Sequence, residues 1–296
     1  MVHKIRLIRA RLKDAFYLLE SCRVCPRRCG VNRLKGQTGI CGIGFLPSVS
    51  SDNLHFGEEP PISGKRGSGT IFLTGCSLGC SFCQNYPISR LGHGKPVDFP
   101  KLAGMMLRLQ ALGAHNINFV TPTHVGPQIL AALSIAFRKG LRIPLVYNCG
   151  GYESVDMLKL FDGIVDIYLP DMKYADPKMA STYSHASDYP DVNRAAILEM
   201  HRQVGSLRLD EAGNAVRGLI IRHLVLPNAV AGTESVLQFI AERVSPETAV
   251  SLMRQYFPAH QAPGLPTVNR KITPREYARA KALLERFGLV NGWLQE

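Results

Sequence analysis

From residue 70 onward, short apolar runs alternate with stretches whose apolar residues recur every three or four positions. The first kind suits strands buried on both faces; the second suits helices with one buried stripe. The pattern predicts strands at 70–75, 117–121, 144–149, 164–170, 218–226 and 248–254. It predicts helices at 101–112, 127–139, 153–161, 191–204, 233–243 and 274–287. The last is marked at both ends. Thr273, Pro274 and Glu276 supply an N-cap, a first-turn proline and a capping-box carboxylate, and Gly288 closes it. Strand–helix alternation implies parallel strands joined by crossover helices. Six such units make an incomplete (β/α)6 TIM-like barrel, an α/β fold. Two stretches break the rhythm. Residues 174–190 are polar and aromatic and read as a loop, while 205–217 read as a hairpin turning at Glu211 to Asn214.

Ahead of the barrel, Ile5, Ile8, Leu12, Phe16 and Leu19 recur at helical spacing, which predicts an amphipathic helix docked on the main domain. Residues 43–69, rich in Gly, Pro and Ser, read as a linker ending at GKRGSGT. The expected organisation is a cysteine-rich extension over 1–60 and a partial barrel over 61–296. A chain of 296 residues with 46% hydrophobic content accommodates that. Mean hydropathy is +0.00, and no apolar run approaches the ~18 residues that span a bilayer. The first twenty residues are charged throughout and lack the apolar core of a signal peptide. A cytoplasmic location is therefore expected. The net charge of +12 fits an acidic partner, such as nucleic acid or a small acidic electron carrier. The basic residues are scattered without interleaved aromatics, which argues against nucleic acid.

Seven of the eight cysteines lie in two short clusters, which suits metal better than disulfides. A reducing compartment agrees with that. Cys22, Cys25, Cys29 and Cys41 form C-x2-C-x3-C-x11-C among Gly30, Gly36, Gly39 and Gly42. Four thiolates there complete either a zinc site or an iron–sulfur cluster, and the sequence leaves both open. Arg23, Arg27, Arg28 and Arg33 read as a solvated rim around them. The second cluster, Cys76, Cys80 and Cys83, has the spacing C-x3-C-x2-C. Three thiolates on one tight loop can hold three irons of a 4Fe-4S cubane and leave the fourth iron open. Electron-transfer clusters close that position with another cysteine, but the next here is Cys149. Zinc sites usually draw ligands in pairs such as C-x2-C with a distant second pair, whereas this loop presents three thiolates together.

The stretch GTIFLTGCSLGCSFCQN resembles the signature of the radical S-adenosylmethionine (radical SAM) enzymes. It is similar in particular to the pyruvate formate-lyase activating enzymes and their relatives. VTPTHVGPQIL, LPDMKY, IRHLVLPN and MRQYFPAH extend the resemblance over most of the chain. It implies reductive cleavage of S-adenosylmethionine at the 4Fe-4S cluster, giving a 5′-deoxyadenosyl radical that abstracts a hydrogen atom. The target it implies is a glycine of a partner glycyl radical enzyme, with a flavodoxin or ferredoxin as electron donor. A small-molecule substrate or another protein modification is the alternative on the same scaffold. An iron–sulfur electron carrier without catalysis is the non-enzyme alternative.

In a β/α barrel, chemistry sits at the C-terminal ends of the strands. Polar residues there are Thr121, Thr123 and His124; Asn148 and Cys149; Asp171 and Lys173; Arg222 and His223; and Ser251, Met253 and Gln255. Asp171 and Lys173 are two apart, so on a strand they face one side. They resemble the family's D-x-K, and Arg222 resembles its strand-5 arginine, which implies contacts to S-adenosylmethionine. Thr121, Thr123, Asn148, Met253 and Gln255 complete the expected cofactor-binding set. An electron carrier would have no use for such handles. Cys149 reads as a core cysteine, and His124, His223 and His260 as hydrogen-bonded scaffold. One departure stands out: VTPTH carries no acidic residue where the family has a Gly-Gly-Glu stretch for the cofactor's amino group.

Overall fold

The computed structural model describes residues 2–295. In chain order the elements are α1 (Val2–Glu20), β1 (Ser48–His55), α2 (Pro60–Ser63), β2 (Ser68–Leu73), α3 (Tyr86–Ser89), β3 (Lys95–Pro96), α4 (Phe99–Ala111), β4 (Ile117–Val120) and α5 (Gly126–Arg138). There follow β5 (Leu145–Cys149), α6 (Val155–Phe161), β6 (Ile167–Pro170), α7 (Pro177–Ser184), α8 (Tyr189–Val204), β7 (Arg208–Leu209), β8 (Ala215–Leu224), α9 (Thr233–Phe239), β9 (Ala249–Met253), α10 (Pro274–Arg286) and β10 (Gly292–Leu294). The sheet runs β10-β9-β8-β6-β5-β4-β2-β1-β3, with β7 paired to β8. All pairs from β2 to β10 along this order are parallel, and β1 closes one side antiparallel to β2. Among the described residues the outermost strands, β10 and β3, do not pair with each other, so the sheet is open there. Among the described residues no helix is long and apolar enough to cross a membrane.

The six predicted core strands are β2, β4, β5, β6, β8 and β9, and the six predicted helices match α4, α5, α6, α8, α9 and α10. Alternation of side chains divides the sheet. Ile71, Phe119, Tyr147, Tyr168, Ile221 and Leu252 share one core with the crossover helices. Val146, Ile167, Leu169 and Ile220 point the other way and pack on Ile62 of α2. Helix α1 joins the first core through Ile8, Ala15 and Leu19. Lys4 adds an ion pair to Asp166 at 2.6 Å, so the docked amphipathic helix stands as expected.

Two expectations need correction. Residues 43–69 are not a linker, because they contain β1, whose register with β2 runs from Val49↔Leu73 to His55↔Ser68. As an outer strand of sequence SVSSDNLH, it carries too few apolar residues to signal itself. The boundary drawn between 60 and 61 falls inside α2. Residues 174–190 are not a plain loop either, since they form α7 and the start of α8. The signal was present: the Asp176 side chain accepts from the Lys178 amide at 2.7 Å, and Pro177 takes the first helical position. The hairpin over 205–217 is present as β7 and the start of β8.

Candidate active site

The loop after β2 carries Cys76, Cys80 and Cys83, all free thiols. Gly75 and Gly79 have φ of +84° and +73°, which let the chain turn tightly just before Cys76 and between Cys76 and Cys80. Each sulfur has a hydrogen-bond partner. The Leu78 amide reaches Cys76 Sγ at 3.3 Å, the Ser184 hydroxyl donates to Cys80 Sγ at 3.0 Å, and Ser89 Oγ lies 3.2 Å from Cys83 Sγ. Phe82 locks the loop into a second apolar cluster, edge-on to Tyr174 and Tyr256 and tilted against Tyr183, with ring centroids 5.7–6.3 Å apart. Among the described residues no three His, Cys, Asp or Glu side chains converge as a single ion requires. Three separate thiols on one loop instead fit a polynuclear cluster, whose irons present different corners.

Beside the loop lies a line of charges. Asp171 accepts from Lys173 Nζ at 2.5 Å and from Arg222 Nε at 2.8 Å. Arg222 Nη2 donates to Asn148 Oδ1 at 2.6 Å, and its Nη1 lies 3.5 Å from Glu58 Oε2. Asn118 Nδ2 donates to Glu58 Oε1 at 3.0 Å. The sheet register explains the grouping: Leu169 lies opposite Asn148, and Asp171 bridges to Arg222, so all face the α2 side. Burial works against the Asp171 carboxylate, yet Arg222 and Lys173 hold its pKa below the ordinary value. Burial also works against the Lys173 ammonium, but Asp171 and the nearby Cys80 outweigh it and its pKa is raised. Lys173 and the cysteine loop meet over Gly150, where a Cβ would lie 3.6 Å from Lys173 Cε and 3.7 Å from Leu78 Cδ2.

Thus Asn148, Asp171, Lys173 and Arg222 come together beside the three cysteines. Gln255 reaches the loop through its carbonyl, which accepts from Gln84 at 3.1 Å, and Met253 is buried at the end of β9. Thr121 ends β4 next to Asn148, its amide donating to Asn148 O at 2.8 Å. Its φ of +61° is rare for a β-branched residue. Thr123 turns away: its hydroxyl donates to Glu153 Oε1 at 2.6 Å on the helix side. Cys149 is buried beside the same Glu153. His124 and His223 are spent on the Thr74 and Met172 carbonyls, as scaffold histidines. Glu58, hidden in the supposed linker, was missed. Its only sequence signal is an acidic pair, Glu58–Glu59, before Pro60 and Pro61.

Around Cys22, Cys25, Cys29 and Cys41 the rim reading fails for two arginines. Arg33 is 1% exposed, with Nε on Gly44 O at 3.0 Å and Nη1 on His124 O at 2.6 Å. Arg27 is half-buried and bonded to the second cysteine loop. The four thiols are electrostatic neighbours: after burial, Cys41, Cys22 and Cys29 add to the rise that takes Cys25 up to about 12.

The uncharacterized protein MJ0674 of Methanocaldococcus jannaschii is 31% identical over 295 residues, covering 97% of this chain and 80% of that protein. The chain belongs to the MJ0674 family. No protein-family profile matches it. A radical SAM methyltransferase from Sphaerobacter thermophilus superposes with a TM-score of 0.50 at 15% identity, over 76% of this chain and 66% of that one. The fold of this MJ0674 relative is therefore that of a known α/β architecture, and its site must be argued from its own residues.

Proposed function

We propose that the protein is a radical SAM enzyme. The observation that carries this reading is Lys173, which pairs with Asp171 and meets the three-cysteine loop at Leu78 over Gly150. The shared fold supports it. Cys76, Cys80 and Cys83 would hold a 4Fe-4S cluster. When bound, that cluster supplies the electron that cleaves S-adenosylmethionine to the hydrogen-abstracting radical. The chain's own residues bind and orient. Lys173 and Arg222 offer donors to the cofactor's carboxylate and hydroxyls, and charge-assisted bonds of this kind are the strong ones. Asp171 keeps both cations in place, and Glu58 with Asn148 fixes Arg222 from the other side. Thr121, Asn148, Met253 and Gln255 complete the pocket wall, whereas Thr123 shapes the turn through Glu153. Phe82 and its tyrosines exclude water from the loop.

The substrate in this reading is a glycine of a partner glycyl radical enzyme, or else a small molecule. The net charge of +12 favours an acidic electron donor of the flavodoxin or ferredoxin kind, in the cytoplasm. Cys22, Cys25, Cys29 and Cys41 would hold a second metal centre in the segment between α1 and β1. The test is anaerobic reconstitution with iron and sulfide, followed by dithionite and S-adenosylmethionine. The parent protein forms 5′-deoxyadenosine and Cys80→Ala does not. Equal product from both would overturn the assignment. A Cys76/Cys80/Cys83 triple-alanine variant retains zinc or iron at the N-terminal site, and a metal-free variant would remove that site.

A further inference from the structure

Past β9 the chain leaves the sheet through Arg254, Gln255, Tyr256 and Phe257, and returns at Lys271 and Ile272 just before α10. These six residues, with Gln295 after β10, line a cavity of about 790 Å³. Two contacts tie it to the cysteine loop. The Gln255 carbonyl accepts from Gln84 Nε2 at 3.1 Å, one residue past Cys83. The Tyr256 ring meets Phe82 edge-on at 5.7 Å. A cavity of this size at the C-terminal end of a strand is an ordinary place for a substrate to bind.

The wall is held by the protein's own bonds. Tyr256 Oη donates to Val268 O at 2.6 Å, and Arg270 Nη1 donates to Lys271 O at 3.0 Å while pairing with Glu276 at 2.8 Å. Its charge has one sign. Arg254 and Lys271 line the cavity and no acidic residue does. Arg222 and Arg270 each hold a carboxylate. Among the described residues Arg254 and Lys271 hold none, and Arg254 lies 5.5 Å from the centre of the Tyr277 ring. Phe257 is 44% exposed, so the wall also offers apolar surface. Gln295 has a buried side-chain oxygen with no hydrogen-bond partner. A buried acceptor left unmet is costly, and a ligand donor would relieve it.

We propose that this cavity is the recognition pocket for the substrate, and that it takes a carboxylate carried beside an amide N–H on an apolar body. Arg254 and Lys271 hold the carboxylate, Phe257 covers the apolar body, and Gln295 accepts from the N–H. An N-acylated amino acid and an acidic peptide segment both carry that chemistry. The role as substrate pocket rests on the radical SAM reading; the binding itself needs no cluster.

The experiment is calorimetric titration of the full chain at low salt. N-acetylphenylalanine is compared with its uncharged amide. In a second arm, the capped peptide Glu-Phe-Gly-Glu is compared with its glutamine counterpart. Each exposed ion contact contributes a few-fold, so the parent prefers the acid over the amide by roughly ten-fold. The arm with the tighter acid identifies the source, free or peptide-borne. Arg254→Gln and Lys271→Gln each reduce the preference, and the double variant abolishes it while binding the uncharged probes as the parent does. No preference in either arm would overturn the proposal, and so would a preference that survives in the double variant. The titration is repeated on reconstituted protein saturated with S-adenosylmethionine. Displacement of the acid would assign the pocket to the cofactor and overturn its role for substrate. If the reconstituted parent forms no 5′-deoxyadenosine, the radical SAM reading fails, while the acid–amide comparison still decides whether the pocket binds a carboxylate.

Discussion

On the α2 side of the sheet, Glu58, Asp171, Arg222 and Lys173 stay together as opposite charges in contact, with side-chain exposures of 8–17%. On the helix side, Glu153 is buried among Thr123, Tyr147 and Cys149, none of which carries charge. The first arrangement keeps ions inside by pairing them, and the second relieves the ion by letting the carboxyl hold its proton. Burial raises the Glu153 pKa to about 7, despite the bonds from Thr123 and Tyr147. A paired column beside three thiols is costly to assemble and weak as a source of stability. Ligand binding, as proposed above, would account for its retention, whereas Glu153 joins the turns through its bonds to Thr123 and Tyr147.

Removing a member of the column should have the largest effect. Asp171→Ala leaves Lys173 without its carboxylate and Arg222 with the 3.5 Å contact to Glu58 as its remaining ion pair, beside its bond to Asn148. A buried charge stripped of its partner costs about 3 kcal/mol or more. Urea denaturation should show that loss, and a change within 0.5 kcal/mol would mean that solvent already reaches the column.

Glu153→Gln tests the other face and has a signed pH dependence. Below its ordinary value of 4.5, the carboxyl is protonated in folded and unfolded chains alike. As pH rises from there through about 7, the unfolded chain gives up its proton first, so this group's contribution to stability is lost. The full swing is about 3 kcal/mol. The glutamine variant keeps the shape without the proton. It should match the parent near pH 4 and exceed it by up to that amount at pH 8. A difference independent of pH would show that Glu153 is charged throughout.

The sequence made one of these faces far more legible than the other features of the site. Core strands and crossover helices were readable because each carries its own apolar period. The D-x-K at Asp171 and Lys173 was readable because two residues on one strand share a side. β1 was not, since a polar outer strand has no period to detect. Glu58 was hidden with it, because its partners Asn118, Asn148 and Arg222 lie on three other strands. Arg27 and Arg33 were misread for a related reason. Charged residues between glycines normally face water, and only tertiary contact shows that these two point inward.

Lys173→Ala separates binding from stability within the column. Its ammonium is the part of the column nearest the cysteine loop, meeting it over Gly150. Loss of one charge-assisted bond costs ~1.5–3 kcal/mol, roughly ten- to a hundred-fold in affinity for S-adenosylmethionine. Iron content should stay at the parental level, because the thiolates are untouched. Equilibrium binding to the reconstituted variant makes the comparison. Unchanged affinity with an intact cluster would place the cofactor elsewhere and leave the column as a structural ion pair.

The smallest expected effect lies where the two faces meet, at the threonines on either side of Pro122. Thr121 holds φ at +61° beside Asn148, while Thr123 points to Glu153. A left-handed backbone costs an L-residue on the order of 1–2 kcal/mol, and glycine avoids it at a smaller cost in chain entropy. Thr121→Gly should therefore gain about 1 kcal/mol in stability. Thr123→Gly should lose stability, because it removes the donor to Glu153 and has no positive φ to relieve. Strain that survives in a β-branched residue suggests that its side chain is needed where it stands. The stabilised Thr121→Gly protein should accordingly bind S-adenosylmethionine less tightly than the parent. Urea midpoints for both glycine variants, with binding measured for the first, decide the matter. If Thr121→Gly lost as much stability as Thr123→Gly, the backbone at Thr121 would carry no strain, and the asymmetry between the two faces would end at Glu153.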